Sequence, residues 1–383
     1  MTASSKYKVA LGALAVVVAA GLVGWVIQLS SGLGVTGMSN GTSWGLYIAC
    51  FMFFVGLSAG GLIVASSASV FHIKKYKVVA LPAVILSTCC ICVAGILILV
   101  DLGGIQRFLN ILVHPNFMSP LLWDVLVITL YLVINIIDLV FMTKGNDRGV
   151  EVLSRVALPV AILVHSVTAW IFGLQIAKAG WYSAILAPIF VASAMDSGLA
   201  LLIIVLVALN AAKVMEVSKD LVASLSGLLA VCIAVDAFFI GCEILTMAYP
   251  QGADLAILSQ MFTGATAPFF WFEVLVGLAV PFCILVFSKN RQSTALVVGA
   301  SVCVVLGVLC KRIWLLFTSF IMPNVYGGLG IASGSTASRM SEGYGIWTTT
   351  SSYAVQPLEV LIVAGVICLG AAAFMLMAKR LIK

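Results

Sequence analysis

The feature that most constrains this chain is the repetition of apolar runs long enough to cross a hydrocarbon core. A spanning helix needs about 20 consecutive, mostly apolar residues. Ten stretches meet that need: residues 9–29, 45–71, 79–100, 120–142, 154–177, 184–211, 221–248, 263–287, 294–322 and 355–378. With 63% hydrophobic and 9% charged residues among 383, and a mean hydropathy of +1.21, no soluble domain of useful size fits between them. Backbone exposed to lipid must satisfy its own hydrogen bonds, so every run reads as a helix. The expected fold is an all-α integral membrane protein, one polytopic domain over residues 1–383.

The basic residues set the topology. Lys6, Lys8, Lys74, Lys75, Lys77, Lys144, Arg148, Arg155, Lys213, Lys219, Lys289, Arg291, Lys379, Arg380 and Lys383 fall on one side of the ten spans, fifteen against three (Arg107, Lys178, Arg339) on the other. Basic loops stay cytoplasmic, so both termini are expected in the cytoplasm and residues 101–123 on the outer face. The net charge of +6 reflects this asymmetry and gives no reason to invoke nucleic acid. Lys6 and Lys8 ahead of the first run resemble a signal peptide's start, but the run is too long for one and is read as a retained span.

Residues 101–123, DLGGIQRFLNILVHPNFMSPLLW, gather Asp101, Arg107, His114 and Asn116 into one short outer connection. Charged groups at such a place are candidates for a substrate or proton site; the plainer reading pairs Asp101 with Arg107 at the headgroup level and gives Pro115 and Pro120 to a turn. Gly56, Ser58, Ala59, Gly60 and Gly61 in the second span allow close approach of a neighbouring helix. Trp44 and Tyr47 at its outer end read as interface-belt aromatics. The ten cysteines read as packing residues, since Cys89 and Cys92, one turn apart, have no second pair with metal-site spacing.

His165 lies about ten residues into the fifth run, about 15 Å deep at 1.5 Å per residue. A membrane b-type haem needs two axial ligands at one depth, and His72 and His114 fall at opposite interfaces, so no haem is expected. Asp196, Asp236, Glu243, Glu273, Lys311 and Arg312 come from runs six to nine. Ionisable groups converging from separate helices point to a polar pocket with a proton path. There is an internal echo as well: Ser119-Pro120-x-x-Trp123-Asp124 opens run four, and Ala267-Pro268-x-x-Trp271-x-Glu273 opens run eight. Four helices apart preserves orientation, which suggests two similar four-helix bundles followed by an extra pair. The long outer loop at 323–353, rich in Gly and Ser, is expected to be a docking surface.

Four segments together resemble the NrfD/polysulfide-reductase membrane-subunit family, the quinone-reactive anchors of respiratory oxidoreductase complexes. They are WGLYIACFMFFVGLSAGG (44–61), DLG with Arg107 and HPNFMSPLLW (101–123), LPVAILVHSVTAWIFG (158–173) and WYSAILAPIFVASAMDSGLALL (181–202). Beyond residue 211 the resemblance rests on helix count and FFWFEVLVGLAVP (269–281). The length is similar to the longer branch that includes the hydrogenase-2 anchor and the membrane subunit of the DsrMKJOP complex. The sequence departs from the family's DLGRP form, with Gly104-Ile105 after DLG and the arginine at Arg107.

The resemblance implies a chain in the cytoplasmic membrane without haem, iron–sulfur cluster or metal of its own. It implies menaquinone or a related quinone near the outer face and an iron–sulfur, ferredoxin-like subunit docked there. Cytochrome, molybdoenzyme or further membrane subunits would be additional partners. On that reading Asp101, His114 and Arg107 are the expected catalytic groups, with Arg107 holding Asp101 ionised. Asn116, Trp123 and Tyr47 join Asp101 and His114 in holding the quinone. His165, Asp196, Asp236, Glu243, Glu273 and Arg312 form the expected proton path. A proton-coupled secondary transporter is the alternative, suited by the midplane carboxylates Asp196 and Asp236; a passive anchor is a third reading, which leaves the intramembrane charges unexplained.

Overall fold

A computed structural model describes residues 3–39, 41–70, 74–250, 252, 254–322 and 353–382 of the chain. As expected, ten of its helices are long and apolar enough to cross a membrane, and the described residues contain no strand. They are α1 (Ala3–Ser31), α2 (Leu46–Val70), α3 (Lys77–Asp101), α4 (Pro120–Thr143), α5 (Asp147–Gly173), α6 (Leu186–Ala211), α7 (Lys219–Ala248), α8 (Ala267–Leu285), α9 (Thr294–Ile321) and α10 (Pro357–Leu381). An even number of spans leaves both termini on one face, and the opposite face is the distal one. Apart from Tyr353, the expected docking loop at 323–353 lies outside the described residues.

Several boundaries follow local chemistry. Run five starts earlier than its apolar stretch because the Asn146 side chain accepts a hydrogen bond from the Gly149 amide at 3.0 Å and caps α5. Run eight starts later: Asp254–Thr263 is a separate short helix, and Pro268 sits in the first turn of α8. The middle of α8, Phe272–Ala279, is π-helical. Pro281 follows one residue later and has no amide to offer the preceding turn.

The packing resolves into two four-helix bundles. In one, α2, α3, α4 and α5 pack in sequence and α5 closes back on α2; in the other, α6, α7, α8 and α9 do the same. The added pair is α1 with α10, which pack on each other and, through α10, on α3. The pair expected after the second bundle is thus the first and last helices, because α1 has no partner until α10 returns beside it. The equivalence of α4 with α8 survives this shift, since each is third in its bundle.

The two bundles join along α2, whose whole span Leu46–Ser67 is buried, against α6 and α9 of the second bundle. In lipid there is little hydrophobic gain between helices, so close backbone packing supplies the contact. Gly60 and Gly198 make it possible: a Cβ built on Gly60 would lie 2.9 Å from the Gly198 Cα and closer still to the Ala194 carbonyl oxygen. The small-residue stripe of the second run has the packing role its sequence suggested.

Candidate functional site

At the distal end of the first bundle, Tyr47 stands in the first turn of α2 and is fully buried. It is not the interface-belt residue that its position suggested, because its ring is wholly buried and its hydroxyl is bonded to α1. Its hydroxyl donates to Gln28 Oε1 on α1 at 2.6 Å, and Gln28 Nε2 donates to the Val100 carbonyl at 2.9 Å. This bridge ties α1 and α2 to the last turn of α3, where Asp101 follows. Asp101 is half-buried, and its Oδ1 is shut off from solvent with no hydrogen-bond partner among the described residues.

Across from it, Glu359 is fully buried in the first turn of α10. It accepts from the Gly37 amide at 3.0 Å, the Gln356 amide at 2.9 Å and the Tyr353 hydroxyl at 2.6 Å. The Leu46 amide donates to the Tyr353 oxygen at 2.8 Å. Burial and the Glu359 carboxylate push the Tyr353 phenol up, which keeps it a donor. Sequence reasoning missed Gln28, Tyr353 and Glu359, each of which has a partner remote in the chain: Val100, Leu46 and Gly37.

The other residues of the 101–123 connection lie differently than expected. Arg107 is exposed and does not pair with Asp101; among the described residues no cation lies within ion-pair distance of that carboxylate. The chain leaves α3 through Gly103 at φ +65, packed against Leu33, and a short 3-10 turn (Ile105–Arg107) leaves the guanidinium outward. His114 and Asn116 are exposed. The Asn116 side chain accepts from the Met118 amide at 3.1 Å, and the Trp123 indole donates to the Phe117 carbonyl at 2.7 Å. These two residues shape the loop itself.

A second polar cluster is buried in the other bundle. Lys311 Nζ on α9 lies 2.9 and 3.0 Å from the Asp236 carboxylate oxygens on α7, and 3.2 Å from Glu273 Oε1 on α8. The Trp314 indole donates to the other Glu273 oxygen. All three charged side chains are at most 1% exposed. The next residue, Arg312, donates through Nη2 to Ser193 at 2.7 Å and lies 4.0 Å above the Phe190 ring. Its Nε and Nη1, both oxygens of Asp196 and both ring nitrogens of His165 are buried with no hydrogen-bond partner among the described residues. His165, Arg312 and Ser197 meet around Gly56, where a Cβ would lie 3.8 to 4.0 Å from each. His165, Asp196, Asp236, Glu273 and Arg312 of the expected proton path, from five helices, are therefore brought to one region around Lys311, and Glu243 is not among them.

Glu243 sits further toward the distal face, accepting from Ser183 at 2.9 Å. Between it and Lys311 runs a cavity of about 20 Å³, lined also by Gly180, Ile240, Trp314 and Leu315. A volume of this size holds about one water. Over the junction of the two bundles lies an aromatic roof. Trp181 stacks on Trp44 at 5.9 Å, meets Phe172 and Phe320 edge-on at 5.1 and 5.2 Å, and donates to the Leu315 carbonyl. Lys178 rests 4.7 Å over Phe320, and burial pulls its ammonium down.

The echo between α4 and α8 is structural as well. Trp123 donates to Phe117, and Trp271 donates to Phe262, each indole tying its helix start to the preceding segment. Buried Asp124 accepts from Thr168 on α5 at 2.7 Å, while Glu273 is held by Lys311 and Trp314 on α9. In each bundle the acid on the third helix is satisfied by the fourth.

Comparison with known proteins finds relatives that match most of the chain. It is 35% identical to a putative dimethyl sulfoxide reductase membrane subunit of Halobacterium salinarum, covering 94% of this chain and 88% of that one. It is 30% identical to the Hdr-like menaquinol oxidoreductase integral membrane subunit of Archaeoglobus fulgidus, covering 82% and 79%. A selenate reductase subunit of Mesobacillus selenatarsenatis is 25% identical, covering 82% and 83%. Residues 34–324, from the loop ahead of α2 through the end of α9, match the model of the polysulphide reductase NrfD family, and the chain belongs to that family.

Proposed function

We propose that this chain is the quinone-reactive membrane subunit of a respiratory oxidoreductase complex, with its quinone site at the distal end of the first bundle. The observation that carries the reading is the Asp101 carboxylate oxygen, buried near Tyr47 and without a hydrogen-bond partner among the described residues. An orphaned acceptor at the membrane interface costs free energy unless a ligand supplies a donor, and a quinol hydroxyl supplies one. The three relatives support it, since each is named as a subunit of a reductase or oxidoreductase, and one name includes menaquinol. The transporter alternative has no comparable support.

A bound quinol delivers two electrons and two protons on oxidation. Asp101 accepts a hydroxyl proton as general base, a role for which a carboxylate in a low-dielectric setting is suited. Tyr47 and Gln28 fix the wall of the site. Arg107, His114, Asn116 and Trp123 form its rim on the distal segment, where His114 serves as a second proton acceptor. Electrons leave to an iron–sulfur subunit docked on the distal face, and menaquinone is the quinone class favoured. The cluster of His165, Arg312, Asp196, Lys311, Asp236 and Glu273, with Glu243 beyond the cavity, carries protons between the bundle interior and the distal face. With the basic loops on the termini side, the membrane is the cytoplasmic one and both termini are cytoplasmic.

The test is purification from the native membrane in mild detergent. Bound quinone and a co-purifying chain with iron–sulfur EPR signals are expected. A lone polypeptide with neither overturns the proposal.

A further inference from the structure

We infer that Gln28 is a positioning residue that makes Tyr47 a hydrogen-bond acceptor and thereby biases the distal site toward the hydroxyl form of its ligand, the quinol. The inference rests on the proposed quinone site and says which redox form that site is built to hold.

Gln28 is fully buried, and its amide has one orientation that satisfies its neighbours. Its nitrogen faces the Val100 carbonyl at 2.9 Å, a contact that only an N–H donor tolerates. Its oxygen therefore faces Tyr47, at 2.6 Å. A carbonyl oxygen cannot donate, so the Tyr47 hydroxyl proton is committed to Gln28. What Tyr47 has left for any ligand is a lone pair.

Asp101, one residue beyond Val100, lies within electrostatic reach of Tyr47, and as a carboxylate it too offers lone pairs. A quinone carbonyl has no proton to give to either group, whereas a quinol hydroxyl donates. Turning Tyr47 toward a carbonyl means breaking a buried hydrogen bond and leaving the Gln28 oxygen without a partner, which disfavours the quinone form. Since Gln28 belongs to α1, the added pair α1 and α10 becomes part of the site's chemistry as well as its packing.

The experiment uses the full chain in lipid nanodiscs and a short-chain naphthoquinone, titrated in its oxidised form and, under anaerobic reducing conditions, in its reduced form. Binding is read from quenching of tryptophan fluorescence. The wild-type chain is expected to favour the quinol, and Gln28→Met, which keeps length but accepts no hydrogen bond, to lower the quinol-to-quinone affinity ratio roughly three- to tenfold. Gln28→Glu, buried as the neutral acid, donates its hydroxyl to Val100 and still accepts from Tyr47 through its carbonyl oxygen, and is expected to keep the ratio. In a Tyr47→Phe background Gln28→Met is expected to be silent. An equal fall in both affinities, or an unchanged ratio in Gln28→Met, overturns the role of Gln28 while leaving the quinone site standing. A wild-type chain that binds neither form overturns both.

Discussion

Lys311→Met is the sharpest perturbation of the buried charge cluster. In the wild-type chain one ammonium serves two carboxylates, Asp236 at 2.9 and 3.0 Å and Glu273 at 3.2 Å, with all three side chains out of solvent. Deleting it leaves two carboxylates in low dielectric with no cation between them. Breaking a buried pair from one side costs about 3–5 kcal/mol. Asp236→Asn is expected to be milder, about 1–3 kcal/mol, because Lys311 keeps Glu273. In Lys311→Met/Asp236→Asn opposite charges go together, and the Trp314 indole still holds Glu273. The double variant is therefore expected to cost less than the sum of the singles by about 1–3 kcal/mol. The assay is reversible unfolding of the full chain in mixed micelles, followed by tryptophan fluorescence. Additivity within about 0.5 kcal/mol would refute the reasoning, since the three groups would then be acting independently.

Gly60→Val places side-chain atoms on the Ala194 carbonyl and Gly198, and is expected to separate the bundles and abolish a monodisperse elution profile. Glu243→Gln removes the charge at the distal mouth of the one-water cavity while keeping the Ser183 hydrogen bond; it is expected to slow proton release by liposome-reconstituted complex severalfold with quinol affinity unchanged. Tyr353→Phe loses the donor to Glu359 and the acceptor of the Leu46 amide, a cost of about 1–3 kcal/mol in micelle unfolding. Because the folded-state value of Tyr353 lies above the ordinary one of about 10, its contribution is complete below that pH and fades as pH rises beyond it. Stability is thus expected to fall above pH ~10 in the wild-type chain, and less steeply in Tyr353→Phe.

Much of the fold was legible because a membrane reduces it to counting. Run length and the absence of competing polar stretches gave all ten helices, and the Trp-plus-acid echo at 123–124 and 271–273 marked α4 and α8 as equivalents. What periodicity could not say was which helix starts a bundle: α1 reads like any other span, yet it packs with α10, more than 300 residues away. A similar distance hid Glu359, whose partner Gly37 lies 322 residues away, and a shorter one hid Gln28, 72 residues from Val100. Each is a single polar residue near a helix end, easily read as solvated, and only tertiary packing shows Gln28 between Tyr47 and Val100. The Asp101–Arg107 pair failed for a local reason, since nearness in sequence is not nearness in space once Gly103 turns the chain at positive φ. Convergence of charges from separate helices was a better guide: Asp236, Glu273 and Lys311 meet as separate elements, and Arg312 and His165 meet beside them.

The measurement that bears most directly on the quinone site is quinol oxidation by the intact complex carrying Asp101→Asn. Asparagine keeps the size and an acceptor oxygen but takes no proton, so assembly and quinol binding are expected to persist. Turnover is expected to fall about a hundredfold or more, the contribution of a positioned general base. Undiminished turnover by a fully assembled Asp101→Asn complex would contradict the account.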